Sequence, residues 1–448
     1  MARADDPKPG PQVDAIEPTA RKSSLLVIFL TVFIDLLGFG MVLPLLPIYA
    51  AHFAEHLGEE QGGWRVGLLV GLLMASFSLM QFFFAPLWGR LSDRIGRRPV
   101  ILIGLAGSVL FYAIFGIATQ MKSISLLFIS RVGAGIAGAT ISTTQAYIAD
   151  STTLEGRARG MALIGAAFGL GFTFGPLFGY LALPSGRGDP GPGPGYAAAA
   201  LSAVALALAY FRLPESLRTK SRVEPRRWLD LGSLRSALAS PPLALLLAAI
   251  FISIFAFASF ESTLSLLITD EQGAYRFGFK QVCLTFAYIG AVLTLVQGGV
   301  VRRIAGRVSE SILSTSGALI QIAGFLLLAF AYRQGTLSWL LIGLAVIVTG
   351  FALVTPSLNS LLSRWSDPAR QGATLGVGQS VATLARILAP MVALPLFKTR
   401  TLGSSIGFPS AVLPLLMATV LMCLGLVLIV LATRRGRDFV AEPGDLAG

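Results

Sequence analysis

Four ionisable side chains stand deep within long apolar stretches of the sequence: Asp35, Arg131, Glu261 and Arg386. A charge at the centre of a hydrocarbon layer costs about 3 kcal/mol even on a lenient scale. Such residues therefore face a partner or a cavity, and they commonly mark the path of an ion or a substrate. We treat these four as the candidate site for binding or moving a charged species.

Asp35 lies eleven residues into its apolar stretch, about 16 Å deep at the rise of an α-helix. A carboxylate poised between desolvation and a nearby cation could exchange a proton near neutral pH. We predict that Asp35 couples protons or binds substrate, and the alternative is a structural pair between helices. Arg131 does not deprotonate in proteins, so one reading makes it a fixed counter-ion of Asp35.

Glu261 and Arg386 lie at similar depths in their stretches, so they could form a pair. A structural ion pair and a gate or anion contact both remain open for them. An arginine at this depth would suit an acidic or zwitterionic substrate. Gln81 and Gln379 could also face a cavity, although hydrogen bonds between helices are the more ordinary role for buried amides.

Twelve apolar stretches of the length that crosses a bilayer would position these residues. The chain has 448 residues, of which 54% are hydrophobic and 13% charged. This composition excludes a soluble globular protein and a disordered chain. We predict an all-α membrane protein whose spans lie near 24–50, 65–87, 99–119, 124–149, 160–183, 196–213, 242–268, 280–300, 311–332, 337–357, 371–397 and 408–433.

The net charge of +12 has its source in topology rather than in nucleic-acid binding. With both termini inside, 25 of the 35 basic residues fall in cytoplasmic segments, 8 outside and 2 within spans. The predicted divisions are a tail (1–23), a six-helix bundle (24–213), a basic linker (214–241), a second six-helix bundle (242–433) and a tail (434–448).

The two halves repeat each other weakly. The Gly89…Gly96-Arg97 pattern after span 2 returns 210 residues later after span 8, and Pro176 returns 214 residues later as Pro390. A duplication with this hydropathy pattern predicts two pseudo-symmetric bundles that face each other across a central cavity, which is a transporter architecture.

One motif, Gly-Arg-Leu-Ser-Asp-Arg-Ile-Gly-Arg-Arg-Pro, joins spans 2 and 3. Its two glycines would allow a tight turn, its acid could cap a helix or pair with a base, and its arginines could meet helix carboxyl ends or lipid phosphate. An ordinary basic loop is the alternative interpretation. The residues singled out are Gly89, Asp93, Arg94, Gly96, Arg97 and Arg98.

A second motif, in span 5, places small residues at helical spacing: Gly171, Gly175 and Gly179, with Pro176 among them. The glycines would let two helices pack closely, and the proline would bend the helix. Two further strings are Arg-Val-Gly-Ala-Gly, which starts at Arg131, and Asp-Leu-Leu-Gly-Phe-Gly, which starts at Asp35.

In this order and on these spans, the strings resemble the major facilitator superfamily, and within it the twelve-span drug:proton antiporters of the tetracycline-efflux type. The resemblance implies alternating access, with a functional acid at Asp35 and an arginine at Arg131 that tunes a neighbouring acid. It also implies that Asp93 and its arginines bridge the two halves on the cytoplasmic side and bias one conformation.

The sequence departs from the tetracycline exporters at several positions. Phe111 stands where an acid would precede the tyrosine of span 3, and 280–300 contain no histidine. Tyr180 follows the last motif glycine, where a second glycine is usual, and Arg303 replaces the acid in the second-half repeat. These departures argue against tetracycline itself as the substrate.

We therefore predict a secondary transporter that exports small amphipathic, drug-like compounds in exchange for protons. The alternatives are a facilitator or symporter of a metabolite or organic anion, and a membrane receptor or scaffold that does not transport. No phosphate-cradling loop or bond-breaking site is visible, so we expect no enzyme activity and no cofactor or metal beyond the transported proton. The expected setting is a bacterial inner membrane, with the protein as a monomer that binds no nucleic acid.

Overall fold

The computed structural model describes residues 18–55, 63–152, 157–184, 190–217, 235, 237–271, 273–304, 307–366, 371–399 and 409–436. Nearly all of these residues are helical, and twelve helical segments are long and apolar enough to cross a membrane. The predicted all-α fold and its number of spans are confirmed.

The spans follow each other in the chain with short connections. Their helices are Pro18–Val42 with Leu46–Glu55 (span 1), Trp64–Ile95 (span 2), Arg97–Gln120 (span 3), Ile124–Gly138 with Ile141–Ser151 (span 4), Arg157–Ala182 (span 5), Gly193–Arg212 (span 6), Pro241–Thr269 (span 7), Phe279–Leu295 with Val296–Val301 and Arg302–Ile304 (span 8), Glu310–Gln334 (span 9), Leu337–Arg364 (span 10), Gln371–Lys398 (span 11) and Ser410–Val412 with Leu413–Arg435 (span 12).

The packing repeats between the halves. Span 1 packs on spans 5 and 6, and span 3 packs on spans 4 and 6; span 7 likewise packs on spans 11 and 12, and span 9 on spans 10 and 12. Two seams join the halves, one between spans 2 and 11 and the other between spans 5 and 8. Adding six to each span number converts one half into the other, as the internal repeat predicts.

The halves meet at one end of the bundle and separate toward the other. We call the end where span 2 joins span 3 the basic end, and the opposite end the far end. Near the far end, a methyl group on Gly67 or Gly71 would lie within about 2.6 Å of the backbone of span 11. Toward the basic end, a methyl group on Gly89 or Gly376 would meet no atom of the described residues within 4 Å. The halves are therefore packed less closely at the basic end, and we call the space between them there the cleft.

Several helix ends differ from the sequence prediction. Span 1 begins at Pro18 rather than near residue 24, and span 2 continues to Ile95 rather than ending near residue 87. The prediction that both motif glycines form the turn is wrong, because Gly89 is helical and only Gly96 turns, with φ of 109°. Hydropathy marks the part of a helix in hydrocarbon, whereas a helix continues until its backbone is interrupted.

Three spans are irregular. Span 1 is interrupted at 43–45, beside Pro44 and Pro47, because proline lacks the donor that a continuous helix needs. Span 4 is interrupted at 139–140, where Ala139 and Thr140 donate to carbonyls three residues back. Span 8 changes from an α-helix to a π-helix over Val296–Val301. Pro176, by contrast, lies within one continuous helix.

Some predicted segments fall outside the described residues. Within the predicted linker 214–241, residues 218–234 and 236 are not described, and neither are 1–17 and 437–448 of the tails. Of the predicted outer loop 184–195, residues 185–189 are not described, while span 6 already begins at Gly193 with a proline in its first turn.

Candidate functional site

Asp35 lies within the first bundle, among hydroxyl groups of two neighbouring spans. Its Oδ1 accepts a hydrogen bond of 2.9 Å from the hydroxyl of Ser202 on span 6. Ser108 on span 3 is a further neighbour of the carboxylate. Both serines are buried, whereas Asp35 is partly exposed. The carboxylate is therefore held by Ser202 and is not fully enclosed by the described residues.

Tyr112 links Asp35 to Arg131. The tyrosine is buried, its ring lies against Gly38 one turn beyond Asp35, and it interacts electrostatically with both charged residues. A methyl group on Gly38 would lie at van der Waals contact with this ring, 3.4 Å away. The three residues form a charged cluster that crosses spans 1, 3 and 4.

Arg131 does not pair directly with Asp35. Its side chain is 2% exposed, its guanidinium carbon lies 4.5 Å from the ring centre of Phe77 and 6.0 Å from that of Phe39, and its Nε has no hydrogen-bond partner among the described residues. The predicted counter-ion contact is thus replaced by aromatic faces, which attract a cation through their ring charge distribution. A buried arginine with unused donors can accept a further partner.

The glycines after Arg131 explain how span 4 comes so close to its neighbours. A methyl group on Gly133 would clash with the ring of Phe111 on span 3, and one on Gly135 would lie 2.5 Å from the backbone oxygen of Phe77 on span 2. The close approach of spans 2 and 4 holds the face of Phe77 over the guanidinium. The Arg-Val-Gly-Ala-Gly string therefore positions the arginine through helix packing.

Gln81 and Trp88 bond to the interruption of span 4. Gln81 Nε2 donates to the carbonyl oxygen of Gly138 at 3.3 Å, and Trp88 Nε1 donates to that of Ile136 at 2.7 Å. These carbonyls belong to the last turn before the interruption, where the regular helical hydrogen bonds end. The hydrogen bond between helices predicted for Gln81 is present. Trp88 makes a second such bond from span 2.

The second bundle brings Glu261 and Arg386 together. They interact electrostatically across spans 7 and 11, and no hydrogen bond joins them among the described residues. Glu261 is partly exposed and Arg386 is exposed. Gln379 and Thr383 precede Arg386 at helical spacing on the same face of span 11, and Gln379 is exposed as well.

This polar face of span 11 lines the cleft. Pro390, one turn beyond Arg386 on the same face, contacts Gly71 of span 2, while Gly378 beside this face packs against Leu362 of span 10. The polar face therefore continues into the seam with span 2 and borders the cleft where that seam separates. A polar stripe in a membrane helix is expected to avoid lipid, which agrees with this placement.

The motif between spans 2 and 3 forms a network within the first half. Arg97 pairs with Asp93, its Nε donates to Asp150 at 3.0 Å, and its Nη1 donates to Ser92 at 2.6 Å. Among the described residues, these contacts do not reach the second half. The expectation that Asp93 and its arginines bridge the halves in one conformation stays a prediction, because the halves are apart at this end in the arrangement described here.

Glu215 caps the start of span 3. Its carboxylate accepts the backbone N–H groups of Arg97 (2.9 Å) and Arg98 (3.1 Å) and, on its own side, those of residues 216 and 217. Arg98 Nη2 donates to the carbonyl oxygen of Tyr210 at the end of span 6, at 2.6 Å. The expected contact of a motif arginine with a helix carboxyl end is present. Arg94 is exposed.

The glycines of the span 5 motif pack on span 1. A methyl group on Gly175 would lie 2.7 Å from the Cα of Gly40, and one on Gly171 would lie 2.8 Å from the Cβ of Leu36. Gly179, one turn on, contacts both Met41 of span 1 and Cys283 of span 8. The small residues of span 5 thus let it pack closely both on span 1 of its own half and on span 8 of the second half.

The sequence analysis did not identify the partners of Asp35 and Arg97. They include Ser202 for Asp35 and Asp150 for Arg97. Serines are ordinary in membrane helices, so their types carry no signal until the helices are packed. No spacing rule links Asp150 or Glu215 to Arg97 in the sequence.

Comparisons with known proteins agree with this architecture. Residues 28–390 match the Major Facilitator Superfamily. The chain is 30% identical over 423 residues to the "Major facilitator superfamily domain-containing protein 10" of Mus musculus, covering 85% of this chain and 88% of that protein. It is 31% identical over 376 residues to the tetracycline resistance protein, class C, of Escherichia coli, covering 84% and 90%.

Solved structures give the same result. The human organic anion transporter MFSD10 (TETRAN) is similar with a TM-score of 0.66 and 29% identity, covering 91% of this chain and 99% of that one. A D-xylose-proton symporter has a TM-score of 0.72 at 16% identity, with 93% and 98% covered, and that likeness concerns the fold alone.

Proposed function

Because the chain belongs to the major facilitator superfamily and is a multi-pass membrane transporter rather than an enzyme, we propose that it exports small amphipathic organic compounds in exchange for protons. Asp35 is the proton carrier in this proposal. The observation that supports this proposal is the position of Asp35. It lies at mid-depth of span 1 beside Ser108 and Ser202, and Tyr112 interacts electrostatically with both Asp35 and Arg131.

The exchange follows from competition at one charged cluster. When the cleft opens at the far end, Asp35 takes up a proton; when it opens at the basic end, Asp35 releases the proton and the cleft loads a compound. Phe39 and Phe77 form an aromatic wall beside Arg131, and Tyr112 interacts electrostatically with both Asp35 and Arg131. One bundle rocks against the other between the two states.

The basic end faces the cytoplasm in this proposal, because Lys and Arg accumulate in cytoplasmic loops. Both termini then lie inside, in the inner membrane of a bacterium, and the arrangement described here faces inward. The protein acts as a monomer, since each chain contains both bundles and the whole cleft between them.

A second candidate is transport of organic anions without protons. It is favoured by the exposed Arg386 on the polar face of span 11, and by the similarity to a solved structure named as an organic anion transporter. The nearby Glu261 offsets this charge at rest, so an anion would compete with Glu261 for the guanidinium.

Transport driven by an imposed pH gradient tests the two candidates. Purified protein is reconstituted in vesicles and offered ethidium, rhodamine B and fluorescein as cationic, zwitterionic and anionic probes. Antiport predicts gradient-dependent movement of at least one probe, and Asp35→Asn abolishes the dependence on the gradient. Glu271→Gln, a change at an exposed far-end carboxylate, is the matched control.

The outcomes separate the candidates. Movement that ignores the gradient in the wild type contradicts antiport, and loss of fluorescein movement in Arg386→Gln then supports the anion facilitator. Coupling that survives in Asp35→Asn removes Asp35 as the carrier.

A further inference from the structure

The outer corner where span 3 begins and span 6 ends has an unusual combination of side chains. Arg98 lies there beside Tyr210 and Phe211, the last aromatic residues of span 6. Tyr210 is 59% exposed and Phe211 77% exposed, and the two rings contact each other edge to face at 5.2 Å. Spans 3 and 6 make their extensive contacts within the first half, so this corner faces away from the cleft.

The guanidinium of Arg98 is held in place with donors to spare. Its carbon lies 5.9 Å from the ring centre of Tyr210, and its one hydrogen bond among the described residues goes to the Tyr210 carbonyl. Its Nε is buried without a partner. The guanidinium thus keeps unused N–H groups, fixed by span 6, next to an exposed phenol.

The charge at this corner is positive. The nearest carboxylate, Glu215, accepts four backbone N–H groups, two of them at the start of span 3, so helix-end dipoles offset its charge. Arg212 is exposed and ends span 6. Aromatic side chains beside arginine at a helix end are typical of the zone where lipid headgroups meet acyl chains.

We propose that this corner binds the phosphate of an anionic phospholipid. Arg98 donates its free N–H groups to a phosphate oxygen, the Tyr210 hydroxyl donates to a second oxygen, and Phe211 lies beside the upper acyl chain. A guanidinium matches phosphate geometry better than an ammonium does. The bound lipid links the start of span 3 to the end of span 6, and it occupies a site separate from the transport cleft.

Native mass spectrometry of the full-length protein tests the proposal. Delipidated protein is titrated with dioleoyl phosphatidylglycerol or dioleoyl phosphatidylcholine, and the bound fractions are compared. We expect the wild type to prefer phosphatidylglycerol, and we expect Arg98→Gln to weaken its retention about fivefold, the effect of one basic residue at a lipid surface. Arg65→Gln is the matched control, because Arg65 lies over Trp64 at the far end at the same 5.9 Å.

A second variant keeps the test independent of folding. Tyr210→Leu removes the phenol and leaves the backbone carbonyl that Arg98 uses, and we expect it to weaken phosphatidylglycerol retention as well. Equal losses in Arg98→Gln and Arg65→Gln, or no preference for phosphatidylglycerol in the wild type, would overturn the proposal. Competition by millimolar inorganic phosphate that displaces the lipid completely would also overturn it, since the site would then bind free phosphate.

Discussion

One ion pair occurs at equivalent positions of the two halves, with the acidic residue and the arginine exchanged. In the first half, Arg97 at the start of span 3 pairs with Asp150 at the end of span 4. In the second half, Glu310 at the start of span 9 pairs with Arg364 at the end of span 10, at 2.8 Å. The positions are 213 and 214 residues apart, like Pro176 and Pro390. Both halves therefore have an ion pair between the same two equivalent helices, but the acidic residue and the arginine have exchanged places.

The two arginines are buried to different extents, which predicts that the two ion pairs contribute differently to stability. The Arg97 side chain is 10% exposed and that of Arg364 is 47% exposed. Loss of Arg97 removes the partner of two carboxylates, Asp93 and Asp150 (28% and 30% exposed). Loss of Arg364 removes the partner of one carboxylate, Glu310 (24% exposed). An exposed pair contributes less than about 1 kcal/mol, and removal of a buried arginine that holds two carboxylates costs more. We expect Arg97→Gln to lower the thermal unfolding midpoint in detergent by several degrees and Arg364→Gln to change it little. Equal shifts would show that burial does not control these pairs.

Among the helices, span 5 packs closely both within its own half and against the second half. Its glycines touch span 1 on one side, and on the other Gly290 of span 8 lies against its backbone at Phe172 and Thr173. The Thr173 and Thr294 hydroxyls, 3.3 Å apart, close this seam toward the basic end. Packing of this kind leaves no room for added atoms.

Alanine at Gly175 tests the contact of span 5 with span 1. Its methyl group would lie 2.7 Å from the Cα of Gly40, so the helices must separate, at a cost of about 1–3 kcal/mol. We expect a lower thermal unfolding midpoint for Gly175→Ala. The matched control is Gly165→Ala on the same helix, where a methyl group meets no described atom within 4 Å. A control that is destabilised as much as Gly175→Ala would contradict the packing argument.

The π-helix of span 8 begins where the seam with span 5 ends. Thr294 makes the last contact, and Val296–Val301 follow with two glycines that have open space around them. Short π-helices are frequent at functional sites, and glycine adds backbone freedom. This segment is placed to let the basic end of span 8 move while the rest of the seam stays packed.

Stiffening the π-helix is expected to slow transport without loss of stability. The double variant Gly298→Ala/Gly299→Ala gains up to about 1 kcal/mol of helix propensity per residue and meets no steric obstacle here. We expect a severalfold lower transport rate in vesicles and an unchanged or higher unfolding midpoint. Val300→Ala, in the same segment, is the control and keeps the wild-type rate. An unchanged rate in the double variant would remove the hinge role.

Sequence patterns predicted the elements better than their irregularities. Twelve apolar stretches were sufficient for the spans, since each must satisfy its own backbone in lipid. Neither the interruption of span 4 nor the π-helix of span 8 contains a proline, and the interruption of span 4 has Gln81 and Trp88 as hydrogen-bond partners from span 2. The four intramembrane charges were identifiable because charge is rare there, whereas Ser108 and Ser202 were not.

Across the whole molecule, a contact between spans 5 and 8 adds to the closure of the far end, at a position where the sequence departs from the family pattern. Lys280, at the start of span 8, lies 5.1 Å from the ring centre of Tyr180 on span 5. Cys283, one turn on, is fully buried against Gly179. The tyrosine that replaces a second motif glycine thus contributes a cation–π contact between the halves.

Labelling of Cys283 reports on this closure. In a Cys423→Ser background, we expect slow reaction with a membrane-impermeant maleimide, because the thiol is buried while the far end is closed. Tyr180→Gly removes a contact of about 1–2 kcal/mol and is expected to raise the labelling rate about tenfold. Tyr196→Leu, at the far end of span 6 and away from the seams, serves as control. Equal rates in wild type and Tyr180→Gly would contradict the closure role.

In the proposed mechanism, proton and substrate compete through Asp35. Proton release by the purified protein on addition of substrate measures this competition. Detergent-solubilised protein in weakly buffered solution is mixed with the probe that it transports, and a pH-indicator dye follows the solution. We predict that the probe releases protons from the wild type and that Asp35→Asn releases none. Equal release from both proteins, or proton uptake by the wild type, would contradict the account.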